Sequence, residues 1–468
     1  MTGFLPTSSR ERSEMLASVG LPAPERLFDA IPANLRLTAF PDCPELAQSW
    51  SEMEIIRQLQ ALADQNLAAA SVPSFLGAGA YDHYQPSALR HLLLRQEFYT
   101  AYTPYQPEIS QGTLQGIFEF QSLICRLTEL DVANSSMYDG ASAAAEALLM
   151  ACRATGRKRV ILAGTVNPQT RQVVQTYLES SGHTVTVLPA GPDGDWVPAL
   201  NAYPPDADTA AVLVQSPNYF GLIEDLPAIA ALAHEAGALA VASCDPVSLA
   251  LLRTPGSAGI DIAAGEVQPL GNTLSFGGPY IGYLAARENL LRRMPGRICG
   301  ETADHDGRRA FVLTIQAREQ HIRRDKATSN ICTSQALCAL AATIHLSLLG
   351  GSGLREVSRQ SANKAAWLRQ RLLDSGWFSA VHTRPFFREF AVRLQRDRWP
   401  ADLDISGLNR WLAGHQVVGG LDLGLAGPEV RIADGWLLAV TEKRSREDID
   451  LLLGLIAAWR RERGADPC

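Results

Sequence analysis

Residues 238–246 read ALAVASCDP: five small or branched apolar residues and Ser243, then Cys244, Asp245 and Pro246. A run this short and apolar, with Gly237 before it and Pro246 after it, has the make-up of a β-strand buried on both faces. Similar runs lie on either side. RVILA (159–163), TVTVL (184–188) and residues 210–215 precede it, and residues 260–264 and 280–285 follow it. Helical patterns fill the upstream gaps. Residues 168–181 open on Pro168 and stop before Gly182, and residues 226–236 stop at Gly237; proline inside the start and glycine past the end is the polarity helices favour. Residues 110–130 are amphipathic, and YDGAS (138–142) is a turn that opens an alanine-rich helix running to residue 154. Strands alternating with helices of this length predict βαβ units, hence an α/β fold with a mainly parallel sheet. Periodicity alone does not separate this from a dinucleotide-binding fold.

The texture differs on both flanks. Residues 1–100 read as helical and irregular, with a capping box, Ser51 and Glu54, opening a helix over 51–66. The loop SVPSFLGAGAYDHY (71–84) suits either a pocket wall or a surface connection. Beyond residue 330 come an apolar helix (334–349) ending in Gly350-Gly351, an amphipathic helix (353–375), short strands at 389–394 and 436–441, and a terminal helix at 447–461. The expected organisation is therefore an N-terminal segment (1–100), a large α/β domain (101–330) and a smaller α+β domain (331–468), because 468 residues exceed one core.

Composition narrows the function. A net charge of −7 argues against a nucleic-acid partner, which needs a basic face. No uninterrupted apolar run reaches the roughly 20 residues that span a bilayer, so no membrane partner is expected. The N-terminus lacks a basic segment followed by an apolar core, which points to a cytoplasmic protein. The eight cysteines form no CxxC pair, and the nine histidines form no HxxxH or HExxH, so free thiols and no metal site are expected.

Five stretches can carry chemistry. Asp245 sits just past a strand's carboxyl end, where open α/β sheets bind ligands; the same residue also fits a turn cap. Asp139, Gly140 and Ser142 lie at a helix N-terminus, whose free N–H groups and positive dipole end suit a phosphate, or simply form a cap. Gly277 and Gly278, in NTLSFGGPY (272–280), allow close backbone approach or a tight turn; they precede a strand, which disfavours a dinucleotide site. REQHIRRDKATSNICT (318–333) sets Arg323, Arg324 and Lys326 beside Thr328, Ser329 and Asn330, either an anion site or a solvated charged face. In AYTPYQPEISQG (101–112) two prolines hold Tyr102 and Tyr105 on extended chain.

Together TAYTPYQPEISQGTLQ (100–115), MYDGASAAAEALL (137–149), SPNYFGLIEDL (216–226), FGGPYIGYLA (276–285) and QAREQHIRRDKATSNICT (316–333) resemble the α subunit of two-subunit glycine cleavage P-proteins, and the N-terminal half of the fused form. The likeness weakens after about Phe387. It implies a pyridoxal-phosphate (PLP)-dependent fold of type I, aspartate aminotransferase-like. It also implies a β subunit of similar fold that carries the PLP. The expected complex is α2β2, decarboxylates glycine and passes the aminomethyl group to the lipoyl arm of H-protein. In such a fold Asp245 pairs with the pyridine nitrogen, and a Schiff-base lysine follows it.

That lysine is missing. The four lysines are Lys158, Lys326, Lys364 and Lys443, and none lies between Asp245 and Gly278. Compared with the β-type motif, His-Lys-Thr ahead of a glycine-rich turn, the slot falls near Gln268, and glutamine forms no Schiff base. The chain is therefore expected to have no catalytic residue of its own. Asp139, Gly140, Ser142, Asp245, Gly277 and Gly278 would form a vestigial crevice. Tyr102, Tyr105, Thr328, Ser329 and Asn330 would face the β-subunit PLP. The alternatives are a self-sufficient PLP lyase or aminotransferase using Lys326, and a non-catalytic scaffold.

Overall fold

The ALAVAS run is the fifth strand of a seven-stranded sheet in the computed structural model, which describes residues 7–37, 50–400 and 402–463. The chain divides into two compact units, Met1–Asn66 and Leu67–Cys468. In the first, the helices Ser9–Ser18 and Glu52–Ala63 each begin in a capping box, Ser8 with Glu11 and Ser51 with Glu54. The rest of the description concerns the second unit.

Its strands are β1 (Val132–Ala133), β2 (Arg159–Ala163), β3 (Thr184–Leu188), β4 (Thr209–Ser216), β5 (Leu239–Cys244), β6 (Ile262–Glu266) and β7 (Gly282–Ala286), in the order β1-β7-β6-β5-β4-β2-β3. Strands β2 to β6 pair parallel, whereas β7 runs antiparallel to both β6 and β1. The helix Gly140–Thr155 lies against the sheet with Ala143 to Ala145 and Ala147 fully buried. Alanine there lets helix and sheet approach closely, and the same helix contributes Leu148 and Met150 to the core of Val160, Val212 and Val241.

A hairpin, β8 (Ile298–Ala303) with β9 (Arg309–Thr314), packs Cys299, Phe311 and Leu313 on Leu114 and Ile117 of the helix Gln111–Thr128. The sequence reading assigned no strands there. A second sheet holds β10 (Phe378–Ala380), β11 (Glu389–Leu394), β12 (Leu421–Asp422) and β13 (Gly435–Ala439), all antiparallel, in the order β10-β11-β13-β12. Its core gathers Phe378, Phe390 and Trp436 with Leu408 and Ile456. Phe75 belongs to this same core, and its backbone bonds to Val418 and Ala439. The 71–84 loop thus runs along the smaller sheet instead of forming a free surface connection.

The two helices expected at 334–349 and 353–375 are one element, Ala336–Asp374, bent at Gly350, whose φ is +60°. Ahead of the bend Ala339, Ala342 and Leu346 pack with the β6–β7 region; beyond it Ala365, Leu368 and Leu372 enter the small-sheet core. By length and composition this helix is apolar enough to cross a membrane, although no uninterrupted apolar run marks it. Part of its apolar face ties the two sheets together, while Leu337 and Leu348 stay exposed.

Candidate functional site

A crevice of about 790 Å3 opens at the carboxyl ends of β4 and β5, and its walls include Tyr81, Asp139, Gly140, Asp245, Glu266 and Arg388. Four of these come from the parallel-sheet region and the start of the helix Gly140–Thr155, one from the 71–84 loop and one from the residue preceding β11. Gly277 also lines it, whereas Gly278 belongs to the adjoining turn, with φ +147°. Ser142 sits one turn inside the helix Gly140–Thr155.

At the helix N-terminus two of the first-turn amides are already taken by carboxylates. Asp139 accepts the Ser142 amide at 2.7 Å, and Glu266 Oε2 accepts the Gly140 amide at 2.9 Å. The other Glu266 oxygen takes the amides of Gln268 and Ile281, at 3.0 and 3.1 Å. Gly140 is required for this approach, because a Cβ there would stand 2.8 Å from the Glu266 backbone nitrogen. Burial pushes the Glu266 carboxyl up to about 7 while these three amides pull it down.

Asp245, at the end of β5, forms an ion pair with the Arg388 guanidinium. Arg388 is 2% exposed. It lies over the Tyr81 ring, 3.7 Å from the centroid, and also meets His83 Nε2. His83 Nδ1 in turn faces Glu442 at 2.6 Å. With an arginine N–H directed at Nε2, the ring proton belongs on Nδ1, donated to Glu442. Next to Arg388, Glu389 accepts the Ala78 amide at 2.6 Å and the Tyr81 hydroxyl at 2.8 Å, and burial pushes its carboxyl up to about 7.

Gln268 is 1% exposed and is not among the crevice walls. Its amide donates to the carbonyls of Tyr81 and Asn272, at 3.1 and 2.8 Å, and accepts the Tyr81 amide at 3.0 Å. It staples the 71–84 loop to the turn after β6. None of the four lysines lines the crevice. Lys364 donates to the Glu442 carbonyl, Lys443 pairs with Asp82 at 2.7 Å, and Lys326 is exposed at the end of the turn Arg324–Lys326. The Lys326 alternative therefore finds no geometric support.

The residues present do not fit PLP. The phosphate end would meet Asp139 and Glu266 in place of free amides, the pyridine-nitrogen partner is committed to Arg388, and no amine stands where an aldehyde would be held. Three of the groups responsible, Glu266, Arg388 and Tyr81, were not singled out from the sequence. The one legible signal was Glu266, a charge closing an otherwise apolar strand.

The other expected site residues lie elsewhere. Tyr102 is 89% exposed, and Tyr105 accepts a bond from Arg297 Nη2 at 2.9 Å. Ser329 is buried and accepts the Ile331 amide, while Asn330 is exposed and Thr328 half-buried. None of these five lines the crevice. The 318–335 segment reaches it only through Gln335, near Tyr138, whose hydroxyl accepts the Cys332 amide at 3.2 Å. Cys125, Cys152, Cys244, Cys299, Cys332 and Cys338 are free; Cys43 and Cys468 lie outside the described residues. Among the described residues no three His, Cys, Asp or Glu side chains are grouped to hold a metal.

Residues 2–456 match the family described as glycine cleavage system P-protein. The chain belongs to that family. The match continues well beyond Phe387, where the likeness of the quoted motifs weakens. Two relatives, from Moorella thermoacetica and Desulforamulus reducens, both named probable glycine dehydrogenase (decarboxylating) subunit 1, are 50% and 49% identical, over 98% and 97% of this chain and 99% of their own. A crystal structure of a glycine decarboxylase (P-protein) of the glycine cleavage system, in inhibitor-bound form, superposes with a TM-score of 0.84 at 40% identity, covering 98% of this chain and 100% of that one. A sphingosine-1-phosphate lyase from Burkholderia pseudomallei (TM-score 0.62, 16% identity, 92% of this chain and 94% of that one) shares the fold alone. The fold is that of PLP-dependent enzymes of type I.

Proposed function

We propose that this chain is the subunit of glycine decarboxylase that does not bear the cofactor, working with a PLP-bearing partner chain of the glycine cleavage system. The carrying observation is that no lysine lines the crevice, and that Gln268, near the expected lysine slot, is a buried amide whose hydrogen bonds hold the Tyr81 segment and the turn at Asn272. The name "subunit 1" borne by the relatives supports a partner subunit. Decarboxylation of glycine, and transfer of its aminomethyl carbon to the lipoyl group of H-protein, then occur on the assembled enzyme.

Exposed apolar groups favour an interface. Tyr99, Tyr102 and Leu337 line one small groove, and Tyr99 and Leu337 recur in a larger one with Leu94 and Thr273. Nearby in sequence, Phe276 is 98% exposed with a left-handed φ of +54°, so an aromatic ring is held outward on strained backbone. A partner of like fold would cover this surface, in an assembly of two copies of each chain. Tyr102, Tyr105 and residues 328–330 are then the groups offered to the partner's PLP.

The test is reconstitution. Glycine-dependent CO2 release should require both chains. Full activity from either chain alone would overturn the proposal.

A further inference from the structure

A second cleft, of about 780 Å3, has among its walls Phe220, which clusters with Tyr219 and Leu222. One face comes from the end of β2 and the edge strand β3, through Thr165 and Val187; the other comes from the smaller sheet, through His382, Arg393 and Arg431. It shares no wall residue with the crevice of Asp245.

Its polar groups are arranged for an anion. Arg393 and Arg431 are exposed at the rim, and neither forms an ion pair among the described residues. The carboxylate among the walls, Glu429, is instead drawn to Arg171, which is 5% exposed, at 3.4 Å. His382 is 8% exposed, packs on the Phe220 ring with centroids 4.9 Å apart, and leaves Nδ1 buried with no hydrogen-bond partner. Burial holds this imidazole in its neutral form, with a pKa of about 4, so it offers a hydrogen-bonding group and not a charge. A buried polar atom without a partner calls for an explanation, a bound water or ion among them.

We infer that this cleft is a binding site for a small molecule carrying an oxyanion head, phosphate or carboxylate, held by Arg393 and Arg431 with His382 as the hydrogen-bonding group behind them. Guanidinium forks suit such heads, and the half-open cleft admits a metabolite-sized body. The occupant would touch both sheets at once. Because Arg393 lies on β11, the strand that begins with Glu389, occupancy would bear on the strand that also lines the crevice.

The experiment is a titration of the complex of this chain and its partner with inorganic phosphate, and separately with acetate, by calorimetry at constant ionic strength. At least one probe should bind saturably with a dissociation constant in the millimolar range or tighter. The Arg393→Ala/Arg431→Ala variant, altered only at exposed positions, should weaken it at least tenfold at an unchanged melting temperature. His382→Phe, which keeps the ring packed on Phe220, should weaken it several-fold. Absence of saturable binding of both probes, or equal binding by the double-arginine variant, would overturn the assignment. Neither result bears on glycine decarboxylation, so failure here leaves the proposed function standing.

Discussion

Arg388→Met removes the cation that neutralises Asp245 while roughly keeping the volume of the side chain's stem. Three interactions go at once: the ion pair with Asp245, the contact with His83 Nε2, and the stacking over Tyr81 at 3.7 Å. Breaking a buried pair by removing one member costs about 3–5 kcal/mol, mostly because the other charge is stranded. The Asp245 side chain is 16% exposed, so some solvation remains and the lower end, about 3 kcal/mol, is expected. Adding Asp245→Asn removes the stranded charge. The double variant should then recover about 2 kcal/mol, with the remaining deficit coming from the unpaired His83 nitrogen and the lost stacking. Urea unfolding at pH 7 of the wild type, both single variants and the double variant measures this cycle. A cost below about 1 kcal/mol for Arg388→Met, or no recovery in the double variant, would refute the view that Arg388 has taken over the partner role on Asp245.

Gln268→Lys should not restore a cofactor site: the substitution breaks three hydrogen bonds, costs about 2–3 kcal/mol in stability, and leaves the chain colourless with added PLP, as an absorption spectrum will show. Glu389 provides a pH prediction. Its folded pKa, raised by burial from 4.5 to about 7, means the folded state holds a proton that the unfolded state has lost across this window. Its contribution is full below pH 4.5 and fades as pH rises through 7, by about 3 kcal/mol in total; Glu389→Gln should flatten stability against pH between 5 and 7.5, and an unchanged profile would contradict the burial argument. Tyr102→Phe with Tyr105→Phe should lower glycine decarboxylation by the assembled enzyme at least tenfold, beyond the modest stability loss from the Arg297 donor that Tyr105 leaves unpaired, checked by 14CO2 release; full activity would remove both tyrosines from the active-site interface.

Much of the large sheet was legible because its strands are buried on both faces and so read as unbroken apolar runs. RVILA and TVTVL match β2 and β3 residue for residue. The β8–β9 hairpin was not legible: ICGETA and RAFVLT alternate only weakly and are half exposed, with one face on a helix that lies far back in sequence. Gly350-Gly351 reads as a stop, yet packing on both sides carries the helix through a bend. At the site, Asp139, Gly140 and Asp245 were readable because strand ends and helix starts announce themselves locally. Their occupants were not. Glu266 reaches Gly140 across 126 residues, and Arg388 meets His83 across 305. Pairings this distant leave no local trace, so a crevice whose polar groups are already paired and one whose groups are free look alike along the chain.

The central claim is that cofactor chemistry belongs to another chain. Its most direct measurement is the intact mass of this chain, purified alone, incubated with PLP and reduced with borohydride. The mass should be unshifted, with the label appearing only on the partner when both chains are present. A stoichiometric adduct on this chain would contradict it.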